Sequence, residues 1–243
     1  MSDSEAPGDP VTPVDPGAAD EPVVPGDAVA PGGAATVGLL LAAGAGRRYG
    51  RPKILVPGWL EHAVEALVGG GCDRVLVVTG AARAPMPLGA VEVHCADWDR
   101  GIGASLAAGL RAVAAGAAEG RMAAAGDAGS AGAEAGGTGP TELLVRRVAI
   151  HLVDYPDIAA DTVRRVLDAA GDHLARATFD GRARHPVVVP ADHLPGLLAA
   201  LTDDDGAAPY LRGRQVRPVE CGDLATGEDV DRPTPRSRPV GRV

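Results

Sequence analysis

The sequence predicts an α/β domain in which a mostly parallel β-sheet lies between two layers of helices, a three-layer sandwich. From residue 36 onward, short apolar segments alternate with stretches whose apolar residues recur at helical spacing. Alternation of this kind is typical of parallel strands that are covered by helices on both faces. The first apolar segment runs into a glycine-rich loop, and in such sheets ligands bind where the strands end.

The predicted strands are short runs dominated by aliphatic and β-branched residues. They lie at residues 36–42, 74–79, 91–95, 147–154, 178–180, 186–189 and 216–220. The predicted helices have apolar residues three and four positions apart. They lie at residues 60–68, 105–113, 160–170 and 192–202. Gly181 connects two of the strands and predicts a hairpin-like excursion from the parallel sheet.

Low-complexity segments limit the chain to one folded domain at residues 36–235. Residues 1–35 consist mainly of Pro, Gly, Ala, Val and acidic residues, carry seven carboxylates and no basic or aromatic residue, and are predicted to be disordered. Residues 114–140 are rich in Ala and Gly, which predicts a flexible insertion. Residues 236–243 form a basic tail.

Charge and composition exclude several classes of partner. The formal net charge is −9, and most of it comes from the acidic tail, so the folded part is nearly neutral and offers no broad basic face to nucleic acid. No apolar run approaches the roughly 18 residues of a membrane span. The three cysteines form no Cys-x-x-Cys pair, which favours small buried thiols in the cytoplasm over a metal cluster. Five histidines lack metal-ligand spacing and are interpreted as packed or surface residues: His62, His94, His151, His173 and His193.

The loop after the first strand has the residue types that hold phosphate. Gly44, Gly46 and Gly50 allow sharp turns and a close approach of ligand to backbone N–H groups. Arg48 can bind two phosphate oxygens at once, and Lys53 supplies a compact charge. Lys53 is the only lysine among the 23 Lys and Arg residues of the chain. The alternative interpretation is an ordinary glycine-rich turn with surface arginines.

Two common phosphate-binding loops do not fit this stretch. The dinucleotide-binding fingerprint requires Gly-x-Gly-x-x-Gly, but the third glycine comes one residue late, and the second strand ends at Thr79 instead of an acidic residue. A Walker loop requires Gly-Lys followed by Ser or Thr, but Lys53 follows Pro52 and precedes Ile54.

Residues 41–53 closely resemble the signature Leu-Ala-Ala-Gly-x-Gly-x-Arg-x-Gly-x-x-Lys of the nucleotidyltransferases, in particular the MobA-like branch with the molybdenum cofactor cytidylyltransferases. The resemblance implies a Rossmann-like fold of the nucleotide-diphospho-sugar transferase type, and catalytic roles for Arg48 and Lys53. A segment at 101–110 is similar to the family's Gly-x-x-x-Ser-Leu-x-x-Gly-Leu, although a capped helix explains its serine equally well. The implied nucleotide-binding residues are Leu41, Ala42, Ala43, Gly44, Gly46, Arg48, Lys53, Gly103 and Ser105.

Two aspartates are predicted to bind Mg²⁺. Asp154 ends an apolar strand, where a solitary carboxylate is costly unless a positive group meets it, and Mg²⁺ binds through one or two carboxylates. The sequence Asp154-Tyr-Pro also matches the family's Asp-x-Pro, which supplies a magnesium ligand. Asp231 is carried over from the family's Asp-Ile-Asp-Thr-Pro. The alternatives are a helix-capping role for Asp154 and a charged exposed turn around Asp231.

The resemblance places the acceptor beside His185 and Pro186, in a segment similar to the family's Gly-x-x-Gly-His-Pro-Val. Three positions depart from the family pattern: Arg184 replaces a glycine, Ala208 an arginine and Arg232 a threonine. These changes leave the nucleotide-binding signature intact and concern the acceptor.

The resemblance therefore implies an Mg²⁺-dependent enzyme that transfers CMP from CTP to a phosphorylated acceptor, molybdopterin, and releases pyrophosphate. It also implies a partner in molybdoenzyme maturation. Three alternatives stay open: a sugar phosphate as the acceptor, a small phosphorylated acid as the acceptor, or a protein that binds the nucleotide without turnover.

Overall fold

The computed structural model describes residues 34–119 and 144–232. The predicted tail up to residue 33, most of the predicted insertion at 114–140 and the predicted basic tail at 236–243 lie outside the described residues. Within the described ranges, no helix is both long enough and apolar enough to cross a membrane.

The described residues form one seven-stranded sheet. Its strands are β1 (Ala35–Leu41), β2 (Arg74–Thr79), β3 (Ala90–His94), β4 (Val145–Leu152), β5 (Ala175–Phe179), β6 (Arg182–Pro190) and β7 (Arg217–Glu220). The order across the sheet is β3-β2-β1-β4-β6-β5-β7, and every neighbouring pair is parallel except the two that involve β6. Strand β6 runs backwards because a two-residue turn at Asp180 and Gly181 joins it to β5 as a hairpin. Both turn residues have positive φ angles, 49° and 74°, which suit the twist of paired strands.

Helices cover both faces of this sheet. They are α1 (Trp59–Gly69), α2 (Ile102–Glu119), α3 (Ala160–Ala170), α4 (Leu194–Ala200) and α5 (Ala208–Arg212). Helices α1 and α3 pack on one face, and α2, α4 and α5 pack on the other. In β1, Leu39 belongs to one of the two cores and Leu40 to the other, the alternation that strand geometry requires. The predicted Rossmann-like α/β fold with a mostly parallel sheet is confirmed.

Several boundaries differ from the prediction. Strand β1 begins at Ala35, one residue inside the predicted tail, and helix α2 continues to Glu119. Residues 114–119 are therefore helical and not part of an insertion, because Ala, which is frequent there, has the highest helix propensity. Strand β4 ends at Leu152 and leaves Asp154 in the turn that follows. Helix α5 is not predicted, since five residues are too few to show a helical period.

His151 is packed inside the domain, as predicted for this histidine. Its side chain is fully buried on β4, and neither ring nitrogen has a hydrogen-bond partner among the described residues. Burial, with smaller contributions from His185 and His62, lowers the pKa of His151 from 6.5 to about 3. Burial likewise lowers the pKa of His185 to about 4. In the folded protein both rings therefore stay neutral at pH values where the unfolded chain binds protons.

We expect the domain to lose stability as the pH falls from about 6.5 towards 4. Between the unfolded and folded pKa values the unfolded state binds more protons, so each such histidine removes about 1.4 kcal/mol of unfolding free energy per pH unit. Urea denaturation at several pH values measures this slope. The His151→Phe variant is expected to show a shallower slope, whereas removal of the exposed His173 by His173→Gln leaves it unchanged. An unchanged slope in His151→Phe would contradict the assignment.

Candidate active site

A cleft of about 410 Å³ opens at the carboxyl ends of β1 and β4. The loop after β1, the turn after β4 and the beginning of α2 line it, which is where an open α/β sheet binds its ligands. Most of the predicted nucleotide and metal residues meet there: Leu41, Ala42, Ala43, Gly44, Gly46, Arg48, Lys53, Ser105, Asp154 and Asp231.

The glycine loop folds tightly on itself. The N–H group of Gly50 donates to the carbonyl oxygen of Gly46 over 2.8 Å. Gly46 has a φ angle of 62°, and a Cβ atom there would lie 1.9 Å from the carbonyl oxygen of Arg51. A side chain at this position would therefore force the loop open. At the strand end, Ala42 donates its N–H to Val78 of β2, so the base of the loop is fixed to the sheet.

We expect the Gly46→Ala variant to lose nucleotide affinity by at least about tenfold while its melting temperature changes little. The left-handed backbone costs alanine about 1–2 kcal/mol, and the contact with Arg51 displaces the N–H groups that face the cleft. Calorimetric titration with nucleoside triphosphates measures the affinity. Gly213→Ala is the matched control, because that glycine has an ordinary φ of −86° and open space around it. Wild-type affinity in Gly46→Ala would show that the loop does not contact the nucleotide.

Lys53 joins two aspartates that are far away in the sequence. Its Nζ atom donates to Oδ2 of Asp154 over 2.7 Å and to Oδ1 of Asp231 over 3.0 Å. The three side chains are 13%, 19% and 33% exposed, respectively, so the cluster is partly shielded from water. Burial lowers the pKa of Lys53, but the two carboxylates outweigh burial and raise it. The ammonium group is therefore held in its charged form.

Arg48 adds a second cation to this cluster. Its guanidinium Nη1 lies 2.5 Å from Oδ2 of Asp231, although the Arg48 side chain itself is 75% exposed. The hydrogen bond from Lys53 lowers the pKa of Asp231, and the charges of Lys53 and Arg48 lower it further. The two predicted catalytic cations thus share one carboxylate at the edge of the cleft.

Hydrogen bonds hold the segment that contains Asp231 beside the turn that contains Asp154. The N–H group of Val230 donates to the carbonyl oxygen of Asp154 over 2.9 Å. Upstream, the carboxylate of Asp157 accepts the backbone N–H groups of Thr226 and Gly227 over 2.7 and 3.2 Å. These backbone contacts fix the path of the segment, so the position of the Asp231 carboxylate follows from the fold.

The two carboxylates fit a divalent cation. Oδ1 of Asp154 is buried and has no hydrogen-bond partner among the described residues. In the same ranges, no three or more His, Cys, Asp and Glu side chains are grouped to hold a metal. A cation such as Mg²⁺ takes one or two carboxylates and completes its coordination with phosphate and water oxygens, so this pair of aspartates fits it.

Three predicted residues lie outside the lining of the cleft. Gly103 packs against the 202–205 turn: its N–H donates to the carbonyl oxygen of Asp203, and a Cβ atom would collide with the carbonyl oxygen of Thr202. His185 and Pro186 lie on β6, on the other side of β4. Nδ1 of His185 is 3.2 Å from the carbonyl oxygen of Ile150, and its ring centroid is 5.6 Å from that of Tyr155.

The sequence motifs did not identify two aromatic residues that line the cleft. Tyr49 and Trp98 both line the cleft, and the Tyr49 ring packs on Trp59 of α1 with 5.4 Å between centroids. The chain contains only three Tyr, two Trp and one Phe, so any exposed aromatic residue beside a motif is informative. The scarcity of aromatic residues was the signal in the sequence that could have identified Tyr49 and Trp98. Asp99 and Ile102 also line the cleft, but nothing in the sequence singled them out.

Comparisons with known proteins identify the family of this chain. The model of the MobA-like NTP transferase domain matches residues 38–219. Nicotine blue oxidoreductase of Paenarthrobacter nicotinovorans is 32% identical over 216 residues, which cover 80% of this chain and 91% of that protein. The match extends over almost the whole described domain.

Solved structures show the same fold. Rv0371c from Mycobacterium tuberculosis H37Rv is 25% identical, with a TM-score of 0.56 over 82% of this chain and 94% of that chain. The complex of Rv0371c with manganese is 22% identical, with a TM-score of 0.50 over 77% of this chain and 88% of that chain. The 2-C-methyl-D-erythritol 4-phosphate cytidylyltransferase from Thermus thermophilus is 22% identical, with a TM-score of 0.52 over 81% of this chain and 92% of that chain. With its family model matched over most of the chain, this protein belongs to the MobA-like NTP transferases, a family of nucleotidyltransferases.

Proposed function

We propose that this protein transfers a nucleotidyl group from a nucleoside triphosphate to a phosphorylated acceptor and releases pyrophosphate. The observation that carries the proposal is the position of Lys53 between the carboxylates of Asp154 and Asp231, in a cleft that the glycine loop also lines. Fixed charges beside a phosphate-binding loop suit a reaction in which both reactants are anions.

Different residues of the cleft have different roles in this reaction. The acceptor needs no dedicated base, because a phosphomonoester has a second pKa of about 6 and is largely ionised at pH 7. We assign the leaving pyrophosphate to Arg48 and to the N–H groups of the glycine loop. Lys53 would hold the acceptor phosphate close to the α-phosphate, since its charge reduces the repulsion between them. Catalysis then consists of positioning and charge neutralisation.

Asp154 and Asp231 are the residues that would hold a divalent cation, and Mg²⁺ is our assignment. The unpartnered Oδ1 of Asp154 supports it, and Rv0371c, which has the same fold, was solved as a complex with manganese. When bound, such a cation supplies additional positive charge for phosphate oxygens.

CTP and molybdopterin are the donor and the acceptor that we assign, because the glycine loop resembles that of the cytidylyl-transferring enzymes. This assignment implies a partner in molybdoenzyme maturation and a cytoplasmic location. Cys72, Cys95 and Cys221 are buried and unpaired, which supports a reducing compartment.

Pyrophosphate release tests the proposal. CTP, GTP, UTP and ATP would each be combined with molybdopterin, a sugar phosphate and a small phosphorylated acid. We expect the highest kcat/KM with CTP and molybdopterin. A different preferred pair would retain the transferase and correct its substrates. Nucleotide binding without release for every pair would contradict the transferase and leave a nucleotide-binding protein.

One comparison favours a second candidate. Nicotine blue oxidoreductase is the relative with 32% identity, and the second candidate is therefore an oxidoreductase that acts on nicotine blue. Spectrophotometry of nicotine blue with reduced pyridine nucleotides tests this candidate. Turnover in that assay, without pyrophosphate release in the first, would favour the oxidoreductase.

A further inference from the structure

Two arginines beside the acceptor region have no partner for their charge. Arg176 on β5 is the only arginine in the described ranges that has a buried side-chain nitrogen, Nε, without a hydrogen-bond partner. Arg184 on β6 is half-buried, and its side chain forms no hydrogen bond or ion pair with a described residue. By contrast, exposed arginines such as Arg165 form ion pairs with carboxylates.

The sheet register places this pair on the two strands beyond β4, the strand that precedes Asp154. Ile150 of β4 pairs with Val187 of β6, and Val187 pairs with Arg176 of β5, so these three residues form one row across the sheet. Since β6 is antiparallel to β4, Arg184 is displaced from that row towards the carboxyl end of β4, where Asp154 lies. The glycine loop follows β1, on the opposite side of β4. Asp154, which lines the cleft, therefore follows the end of β4 towards which Arg184 is displaced.

The two guanidinium groups act on each other and on the same neighbours. Burial lowers the pKa of Arg176, Tyr155 raises it, and the like charge of Arg184 lowers it. Both arginines also act on Tyr155 and on His185, whose rings are in contact. Two like charges, one of them desolvated, are unfavourable without a counter-ion. A bound anion would satisfy both groups, since each can present two parallel N–H donors to a phosphate or carboxylate.

We propose that Arg176 and Arg184 bind a second anionic group of the acceptor, a phosphate or a carboxylate other than the phosphate that reacts beside Lys53. The identification of this anion as part of the acceptor rests on the proposed function. It favours a small phosphorylated acid over a sugar with a single phosphate, because only the former carries a second anion. The arginine at position 184, where the family pattern has glycine, then determines which acceptor is used.

Anion titration of the full-length protein tests the site without any turnover. Inorganic phosphate is titrated in one arm and acetate in the other, against wild type and the Arg176→Gln, Arg184→Gln double variant. We expect at least about a tenfold loss of affinity for the preferred anion in the double variant. Tighter binding of phosphate identifies the second group as a phosphate, and tighter binding of acetate identifies it as a carboxylate. Equal affinity of wild type and double variant in both arms would overturn the proposal.

Two further variants keep the result interpretable. Arg182→Gln removes an exposed arginine from the same strand and is expected to leave both titrations unchanged, so an equal loss there would reveal only general surface charge and overturn the site. The Arg176→Lys, Arg184→Lys variant keeps both charges and is expected to retain more affinity than the glutamine pair. It also replaces that pair if the glutamine variant does not fold.

Affinity for CTP, measured separately, is expected to change less than about threefold. Failure of nucleotidyl transfer with every substrate would refute the enzyme but not the anion site.

Discussion

The Lys53→Ala variant is expected to lose at least about 10²–10³-fold in turnover at saturating nucleotide, with the fold intact. Lys53 bonds to Asp154 and Asp231 across 101 and 178 residues of sequence, and its charge lies where the two anionic reactants would meet. Without it, two carboxylates face the incoming phosphates with one cation fewer to offset their repulsion. Lys53 follows a loop and lies outside both apolar cores, so its removal leaves the packing of the sheet unchanged.

Single-turnover pyrophosphate release measures this effect, and circular dichroism with a melting curve verifies the fold. Arg51→Ala is the matched control, because it removes an exposed cation two residues earlier that forms no ion pair with a described residue. Lys53→Arg keeps the charge but changes its geometry, and we expect an intermediate loss. Turnover within about threefold of wild type in Lys53→Ala would refute the catalytic role.

Asp154→Asn is expected to reduce divalent-cation-dependent activity by about 10²–10³-fold, far more than Asp231→Asn. Asp154 lies two residues after β4, and although its Oδ2 accepts a hydrogen bond from Lys53, its buried Oδ1 has no partner among the described residues and is available to a cation. The Asp231 side chain is more exposed and already shared by two cations. Water can replace one carboxylate of a magnesium ion that normally keeps several waters. We therefore expect about a tenfold loss for Asp231→Asn.

Activity against Mg²⁺ concentration distinguishes these outcomes. Asp229→Asn is the control, since it removes an exposed carboxylate two residues before Asp231. Full rescue of Asp154→Asn by modest additional Mg²⁺ would contradict the ranking. An equally inactive Asp231→Asn would also contradict it, and would show that both carboxylates are indispensable.

The glycine loop and the strand ends could be predicted because they depend on neighbours in the chain. Strand β2 is observed at the predicted residues, and the first strand and its loop differ by a single residue. The solitary lysine was visible as a compositional exception. These signals are local, since burial of alternate residues and glycine turns are determined within a few positions.

The aromatic residues of the cleft could not be predicted in the same way. Tyr49 adjoins the motif but contacts Trp59, and Trp98 reaches the cleft from a separate turn between β3 and α2. The departure of Gly103 from the cleft has a similar cause, because the 202–205 turn, a distant part of the chain, packs against it. Contacts of this kind leave no periodic pattern in the sequence.

By itself the sequence determined the α/β class, the glycine loop after the first strand and the aspartate near the end of a buried strand, because each follows from short-range spacing and burial. Only the tertiary structure decided that Asp231 completes the cluster, through the bond of Val230 to Asp154 and the anchoring of Thr226 by Asp157. It also decided that the predicted hairpin brings β6 beside β4, with Arg184 displaced towards the end of that strand. The physical reason is that such contacts join segments far apart in the chain, and their free energy comes from packing and hydrogen bonds that exist only once the sheet has formed.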